Sequence, residues 1–317
     1  MIGEAEHVAG DAAPFRILSL DGGGAKGFYS LGVLREIEGL AGKPLHEVFD
    51  LIYGTSTGAI IASLLALGRS VDDIHALYAE HVVKIMGRKS ASEKTVALND
   101  LARDVYGDVG FDAMRTGVGI VTTKWDIERP MIFKAHPAQA HGRKGTFVPG
   151  FGVPVGDAVA ASCSAFPFFE RKTITTSAGD RVELVDGGYC ANNPALYAIA
   201  DAVGALGVPR SAIQVVSVGV GVYPAPKPAF LSKMWLARYL LSVQLLQKTL
   251  EINTQSMDQL RHILHDDIPT VRISDTFEKP EMATDLFEHD LNKLNLLRQR
   301  GAESFAKNET ALAAILG

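Results

Sequence analysis

Short apolar runs alternate along this chain with longer stretches of three-to-four spacing, and the alternation divides it into strands and helices. Phe15-Arg16-Ile17-Leu18-Ser19-Leu20 reads as a short buried strand. Phe28, Leu31, Leu34 and Ile37 then keep the spacing of a helix over 28–38. Val48, Phe49, Leu51 and Ile52 enter a second strand, which leads to an alanine-rich helix ended by Gly68. Ile74, Leu77, Tyr78, Val82 and Ile85 share one face of a helix over 71–86. Further strands are expected at 118–123, 130–133, 182–185, 213–219 and 270–273. Further helices are expected at 154–165, 195–206 and 231–264, followed by two closing helices within 286–316. The long one counts Leu236, Leu240, Val243, Leu246, Leu250 and Ile252 among its apolar positions. The polar stretch 87–100 reads as a surface loop, with a mobile lid as the alternative. The stretch 136–150, with His141, Arg143 and Lys144, reads as a solvated basic loop, with contact to lipid headgroups as the alternative. Strands alternating with helices predict a three-layer α/β/α sandwich with a mainly parallel central sheet. With no repeat and no linker in view, residues 14–317 are expected to form one domain behind a loose tail at 1–13. Within it, 14–220 carries the motifs and 221–317 is mostly helical.

Composition narrows the function. The 317 residues are 47% hydrophobic, enough for a substantial core, and the net charge is −5. That charge argues against DNA or RNA as a partner, since such binders carry a basic footprint. Cys163 and Cys190 are too few for a disulfide scaffold and lack metal-ligand spacing, so zinc is not expected. The first fifteen residues have no basic and apolar leader pattern. The longest apolar run, Ala59 to Leu67, is far below the ~20 residues that span a bilayer. A soluble, cytoplasmic protein is the expectation.

The chemistry begins at Gly54-Thr55-Ser56-Thr57-Gly58. Between a strand and a helix, the two glycines permit a turn too tight for a Cβ and place the Ser56 hydroxyl at its apex. The helix that follows aims amide N–H groups at any nearby anion. That suits a serine attacking an acyl carbon. Upstream, Asp21-Gly22-Gly23-Gly24-Ala25-Lys26-Gly27 joins the first strand to the first helix. Besides a tight turn without chemistry, three readings compete: a Rossmann loop through Gly22, Gly24 and Gly27, a P-loop, which would need a Ser or Thr after Gly-Lys that is absent, and an oxyanion hole built from the Gly22, Gly23 and Gly24 amides. A serine nucleophile also needs a base. The later histidines, His262, His265 and His289, lie in polar helical surroundings and none follows a core strand. Asp186-Gly187-Gly188 does follow one, so Asp186 is the candidate base, its pKa raised by burial.

Taken together, the glycine loop, the Gly54–Gly58 elbow and Asp186-Gly187-Gly188 resemble the patatin-like phospholipases, in that family's order. Ala161-Ser162-Cys163-Ser164-Ala165-Phe166-Pro167 and Asn192-Asn193-Pro194 add to the resemblance, which covers roughly residues 14 to 220. It implies a lipid acyl hydrolase with Ser56 as nucleophile, Asp186 as base, Gly22, Gly23 and Gly24 as oxyanion donors, and no cofactor. Gly54, Gly58, Gly187 and Gly188 shape the two turns. Lys26 takes the family's basic position, ordering the loop or attracting a headgroup. The implied substrate is membrane phospholipid, met by peripheral association with the inner face of the membrane, and a homo-oligomer is left open. Short bacterial chains of this kind resemble antiphage effectors that a cyclic dinucleotide switches on; the region 221–317 and the stretch 87–100 leave room for such an activator. The alternatives are a soluble carboxylesterase or thioesterase with the same dyad, and a dinucleotide-binding protein.

Overall fold

A computed structural model of the chain describes residues 13–142, 144–226 and 234–317, with only the backbone of 144 and 234–240. The tail at 1–12, Arg143, the expected helix start at Leu231 and the side chains of Lys144, Leu236 and Leu240 lie outside the described residues.

The first strand, β1 (Phe15–Leu20), feeds the glycine loop and helix α1 (Gly27–Ala41). A short α2 (Leu45–Val48) precedes β2 (Leu51–Thr55) and α3 (Thr57–Ala66). Helices α4 (Val71–Leu77), α5 (Val83–Met86) and α6 (Ala91–Leu101) lead to β3 (Gly117–Lys124) and β4 (Arg129–Lys134). Next come α7 (Val155–Ser162), β5 (Lys172–Thr175), β6 (Arg181–Asp186), α8 (Gly188–Ala191) and α9 (Ala195–Ala200). The chain closes with β7 (Ile213–Val218), α10 (Met234–Leu264), β8 (Thr270–Ile273) and α11 (Leu291–Leu316).

Among the described residues, eight strands join one sheet, ordered β5-β6-β3-β2-β1-β7-β8, with β4 also on β3. The run β3-β2-β1-β7-β8 is parallel, whereas β4, β5 and β6 are added antiparallel. Apolar side chains alternate across the sheet as a strand covered on both faces requires. Leu18, Leu20, Val216 and Val218 point into the larger core, while Ile17, Val215 and Ile213 point into a second core with Ala198 and Ile199 of α9. Helices thus cover both faces of a mixed, mainly parallel sheet.

The register along β3 positions the site. Thr55, at the end of β2, pairs with Val121, and Asp186, at the end of β6, pairs with the next residue, Thr122. Because β4 occupies the other edge of β3, β2 and β6 share one edge and meet end to end. Two turns from distant parts of the sequence are therefore forced against each other.

Several expectations change. The stretch 87–100 is not a loop: α6 starts at a capping box in which Ser90 Oγ accepts from the Glu93 N–H at 3.2 Å and Glu93 accepts from the Ser90 N–H at 3.0 Å. Its Lys94 and Leu98 are buried. The two closing helices are one, α11, because Gly301 marks a helix contact and not a break. A Cβ at Gly301 would collide with the Tyr29 carbonyl of α1. Val243, Leu246 and Leu250 of α10 are buried, but Ile252 is 68% exposed. His141 is not merely solvated, since its Nε2 lies 2.7 Å from Asp201.

Candidate active site

Ser56 has φ 53° and ψ −120°, a left-handed conformation unusual for a residue with a Cβ. Gly54 and Gly58 make the bend possible, since a Cβ on Gly54 would strike the Gly58 carbonyl and one on Gly58 the Leu20 carbonyl. The bend is held from behind: the Ser56 N–H donates to Ser162 Oγ at 2.9 Å, and Ser162 Oγ donates to the Val121 carbonyl at 2.6 Å. Ser164 holds the opposite turn, accepting from the Asp186 N–H at 3.0 Å.

Across the junction, Ser56 Oγ donates directly to Asp186 Oδ2 at 2.7 Å. The other carboxylate oxygen accepts from the Gly188 N–H at 2.7 Å. Gly187 fits against the Val121 carbonyl where a Cβ could not. No imidazole contacts either functional group among the described residues; His262 and His289 are exposed. Asp186 is 2% exposed. Burial pushes its pKa from 3.8 up to about 6, against the opposing pull of the Ser56 and Gly188 hydrogen bonds. A carboxylate of that basicity can take a proton from a hydroxyl it already touches. Asp186 lies at the carboxyl end of its strand as expected, but β6 runs antiparallel to β3. The head-on meeting with β2, and not a parallel sheet edge, puts it there.

The glycine loop divides in two. The Gly23 and Gly24 N–H groups have no protein partner among the described residues, and both glycines line the same cleft as Ser56 and Asp186. Gly22 does not join them: its N–H donates to the Asn192 carbonyl at 2.9 Å, so the expected third donor is already committed. Its carbonyl accepts from Asn192 Nδ2 at 3.2 Å. Ahead of the loop, Asp21 is gripped by both terminal nitrogens of Arg272, one at 2.9 Å, and Arg272 also bonds Ser217 at 2.8 Å. The sequence carried no signal for this Arg272 clamp, which arrives from β8. Lys26 is buried but points away from the cleft, toward a second cavity.

The cleft holds about 560 Å³ with its mouth included, and its walls beyond the reacting groups are apolar: Ile60, Val82, Leu98, Leu250, Leu286 and Phe287 among them. Of the Phe166–Phe169 cluster, Phe169 lines the cleft, Phe168 packs on Phe287 with ring centres 5.1 Å apart, and Phe166 packs on Trp125. One ring of the cluster thus forms part of the acyl wall while two others pack against neighbouring rings. A hydroxyl bonded to a buried carboxylate and two amides without a protein partner among the described residues thus share one end of an apolar slot, a set of groups with the chemistry that acyl transfer needs.

Comparison with known proteins agrees with this chemistry. The family model described as patatin-like phospholipase matches residues 18–199. The chain is 65% identical over 301 residues to the cUMP-AMP-activated phospholipase of Escherichia coli, covering 95% of this chain and 93% of that one. It is 26% identical to the cGAMP-activated phospholipase of Escherichia coli strain TW11681, covering 94% and 92% respectively. Among solved structures, human GIVD cytosolic phospholipase A2 superposes with a TM-score of 0.50 at 11% identity, over 96% of this chain and 60% of that one, a likeness of fold.

Proposed function

This chain belongs to the patatin-like phospholipase family, and from that premise we propose that it hydrolyses ester bonds of membrane phospholipids through a Ser56–Asp186 dyad. The observation that carries the mechanism is the direct 2.7 Å contact between Ser56 Oγ and Asp186 Oδ2. Ser56 Oγ attacks the ester carbonyl carbon while its proton passes to Asp186. The negative charge that develops on the carbonyl oxygen is met by the Gly23 and Gly24 N–H groups. Collapse breaks the ester bond, and Asp186 returns its proton to the departing lysophospholipid oxygen. Water, giving up a proton to Asp186, then attacks the acyl-Ser56 ester and releases the fatty acid, and Asp186 returns that proton to Ser56.

Because Asp186 must be ionised to accept the proton, acylation is expected to fall as pH drops through about 6. Substrate is met at the membrane surface; no helix among the described residues is long and apolar enough to cross a bilayer. The proposed switch is a cyclic dinucleotide, the class named for the relatives of 65% and 26% identity, in keeping with the antiphage role implied by the sequence resemblance.

The test is fluorophosphonate labelling with mapping of the modified residue, alongside fatty-acid release from phospholipid vesicles with and without cUMP-AMP. Label on Ser56 and release that rises with cUMP-AMP support the reading. Label elsewhere overturns the dyad, and activity confined to short soluble esters makes the protein a carboxylesterase.

A further inference from the structure

A second cavity lies behind the glycine loop, separate from the acyl cleft. It holds about 730 Å³ with its mouth included and runs between the loop, α10 and residues 222–226. That size is in the range of small-molecule sites. Its floor carries an unusual group. Lys26 is 3% exposed, and among the described residues its ammonium has no hydrogen bond or ion-pair contact. A buried cation without a contact partner is unfavourable and calls for an anion. Glu251, Asp285 and Asp21 act on its charge only from beyond contact distance, and burial lowers its pKa despite them. At the rim, Lys248 supplies a second, exposed cation, while Gln244 and Gln247 add amides.

The wall between this cavity and the acyl cleft is shared in three places. In the glycine loop, Gly23 and Gly24 face the cleft and Lys26 faces the cavity. On α10, Leu250 faces the cleft and the next residue, Glu251, the cavity. In the segment before α11, Leu286 faces the cleft and Asp285 the cavity. The three pieces are bonded together. The Ala25 N–H donates to the Leu286 carbonyl at 3.0 Å, and Asn192 bridges the Gly22 carbonyl at 3.2 Å to Thr254 of α10 at 2.7 Å. Any ligand that moves Lys26, Glu251 or Asp285 therefore moves the oxyanion loop and two residues that narrow the cleft.

We infer that this cavity is the seat of the cyclic dinucleotide activator, with a phosphate on Lys26 and Lys248 and the base edges on the Gln244 and Gln247 amides and the Glu251 and Asp285 carboxylates. The chemistry fits a ligand that carries anionic phosphates and N–H donors together: the cations meet the former and the carboxylates the latter. Occupancy draws Lys26 toward the phosphate and resets the loop two and three residues upstream, where the oxyanion donors sit.

This inference rests on the activation proposed above, and the experiment separates the two. Binding of cUMP-AMP is measured by calorimetry in the Ser56→Ala protein and in the same protein carrying Lys248→Glu, Lys26→Met or Lys26→Arg, each checked for folding by thermal melting. Vesicle hydrolysis is titrated with cUMP-AMP in the parent and in Lys248→Glu. The inference expects Lys248→Glu to weaken binding roughly 10- to 100-fold, the worth of one charge-assisted contact, and to raise the activating concentration in step. It expects Lys26→Met to weaken binding more than Lys26→Arg. A parent that cUMP-AMP activates, with affinity unchanged in Lys248→Glu and Lys26→Met, overturns the site and leaves activation standing. Unchanged cUMP-AMP affinity with weakened binding to phosphatidylglycerol vesicles assigns the cavity to a lipid headgroup and also overturns it. A parent that neither binds nor responds to cUMP-AMP removes the activation proposal and this inference with it.

Discussion

Asp186 and Asp201 are both 2% exposed, and each takes a hydroxyl supplied from β2 or the turn that ends it. Asp186 meets Ser56, one further N–H and no cation. Asp201 meets Tyr53 together with Lys134 Nζ at 2.6 Å and His141 Nε2 at 2.7 Å. The difference separates a reactive carboxylate from a structural one. Lys134 and His141 occupy carboxylate lone pairs on Asp201, whereas Asp186 is buried without a cation in contact, and that burial raises its basicity. The pairing in the second core makes Asp201 a clamp between β4 and the helical segment after α9. The lack of one leaves Asp186 poised to move a proton.

The comparison breaks most visibly in activity. Ser56→Ala and Asp186→Ala should each reduce phospholipid hydrolysis by at least ~10⁴-fold, since members of a coupled catalytic unit cost several orders of magnitude apiece. Asp201→Asn should leave the same assay within an order of magnitude of the parent. Steady-state fatty-acid release decides, and an active Asp186→Asn would end the proposed role of that carboxylate.

Stability should respond in the opposite sense. Asp201→Asn removes the carboxylate from the Lys134 ammonium, which is 8% exposed and keeps the neutral Gln139 carbonyl at 3.1 Å, and losing one partner of a buried pair costs about 3–5 kcal/mol in denaturant unfolding. Asp186→Asn should stabilise. Asp186 binds a proton in the folded state up to about pH 6, while the unfolded chain loses it near 3.8. The folded state is therefore progressively penalised as pH rises through that window, and fully so above it. Removing the charge should recover up to about 3 kcal/mol at pH 8 and little at pH 4. Thermal melts of parent and variant at both pH values read the sign, and a destabilised Asp186→Asn at pH 8 would contradict the account of its pKa.

The smallest effect sharpens the elbow itself. Ser162→Ala removes the acceptor of the Ser56 N–H, and loss of one such bond is worth about 1 kcal/mol. A drop in kcat of roughly tenfold or less, with Asp186→Asn additive in stability, would show Ser162 to be a positioning residue and not part of the chemistry.

Some features that the fold displays have a local signal in the sequence, and others have none. Ser90-Ala91-Ser92-Glu93 is a helix-start pattern, and α6 follows it; the polar composition of the stretch points to a loop, and the cap outweighs it. Gly301 lies inside the single helix α11, where a linear pattern expects two helices and does not show what lies alongside. Its reason is α1, whose Tyr29 carbonyl leaves no room for a side chain.

What the sequence alone determined is the local chemistry: apolar periodicity sets strands and helices, and glycine spacing sets the two turns that expose Ser56 and follow Asp186. These depend on neighbours within a few residues, which a linear pattern contains. Only the tertiary structure decided how the pieces use one another. It ran β6 head-on into β2, tied up the Gly22 N–H on Asn192, turned Lys26 away from the cleft and brought Arg272 onto Asp21. Each of these rests on a hydrogen bond, charge or cavity shared by residues far apart in the chain, and such pairings exist only once the backbone has closed around them.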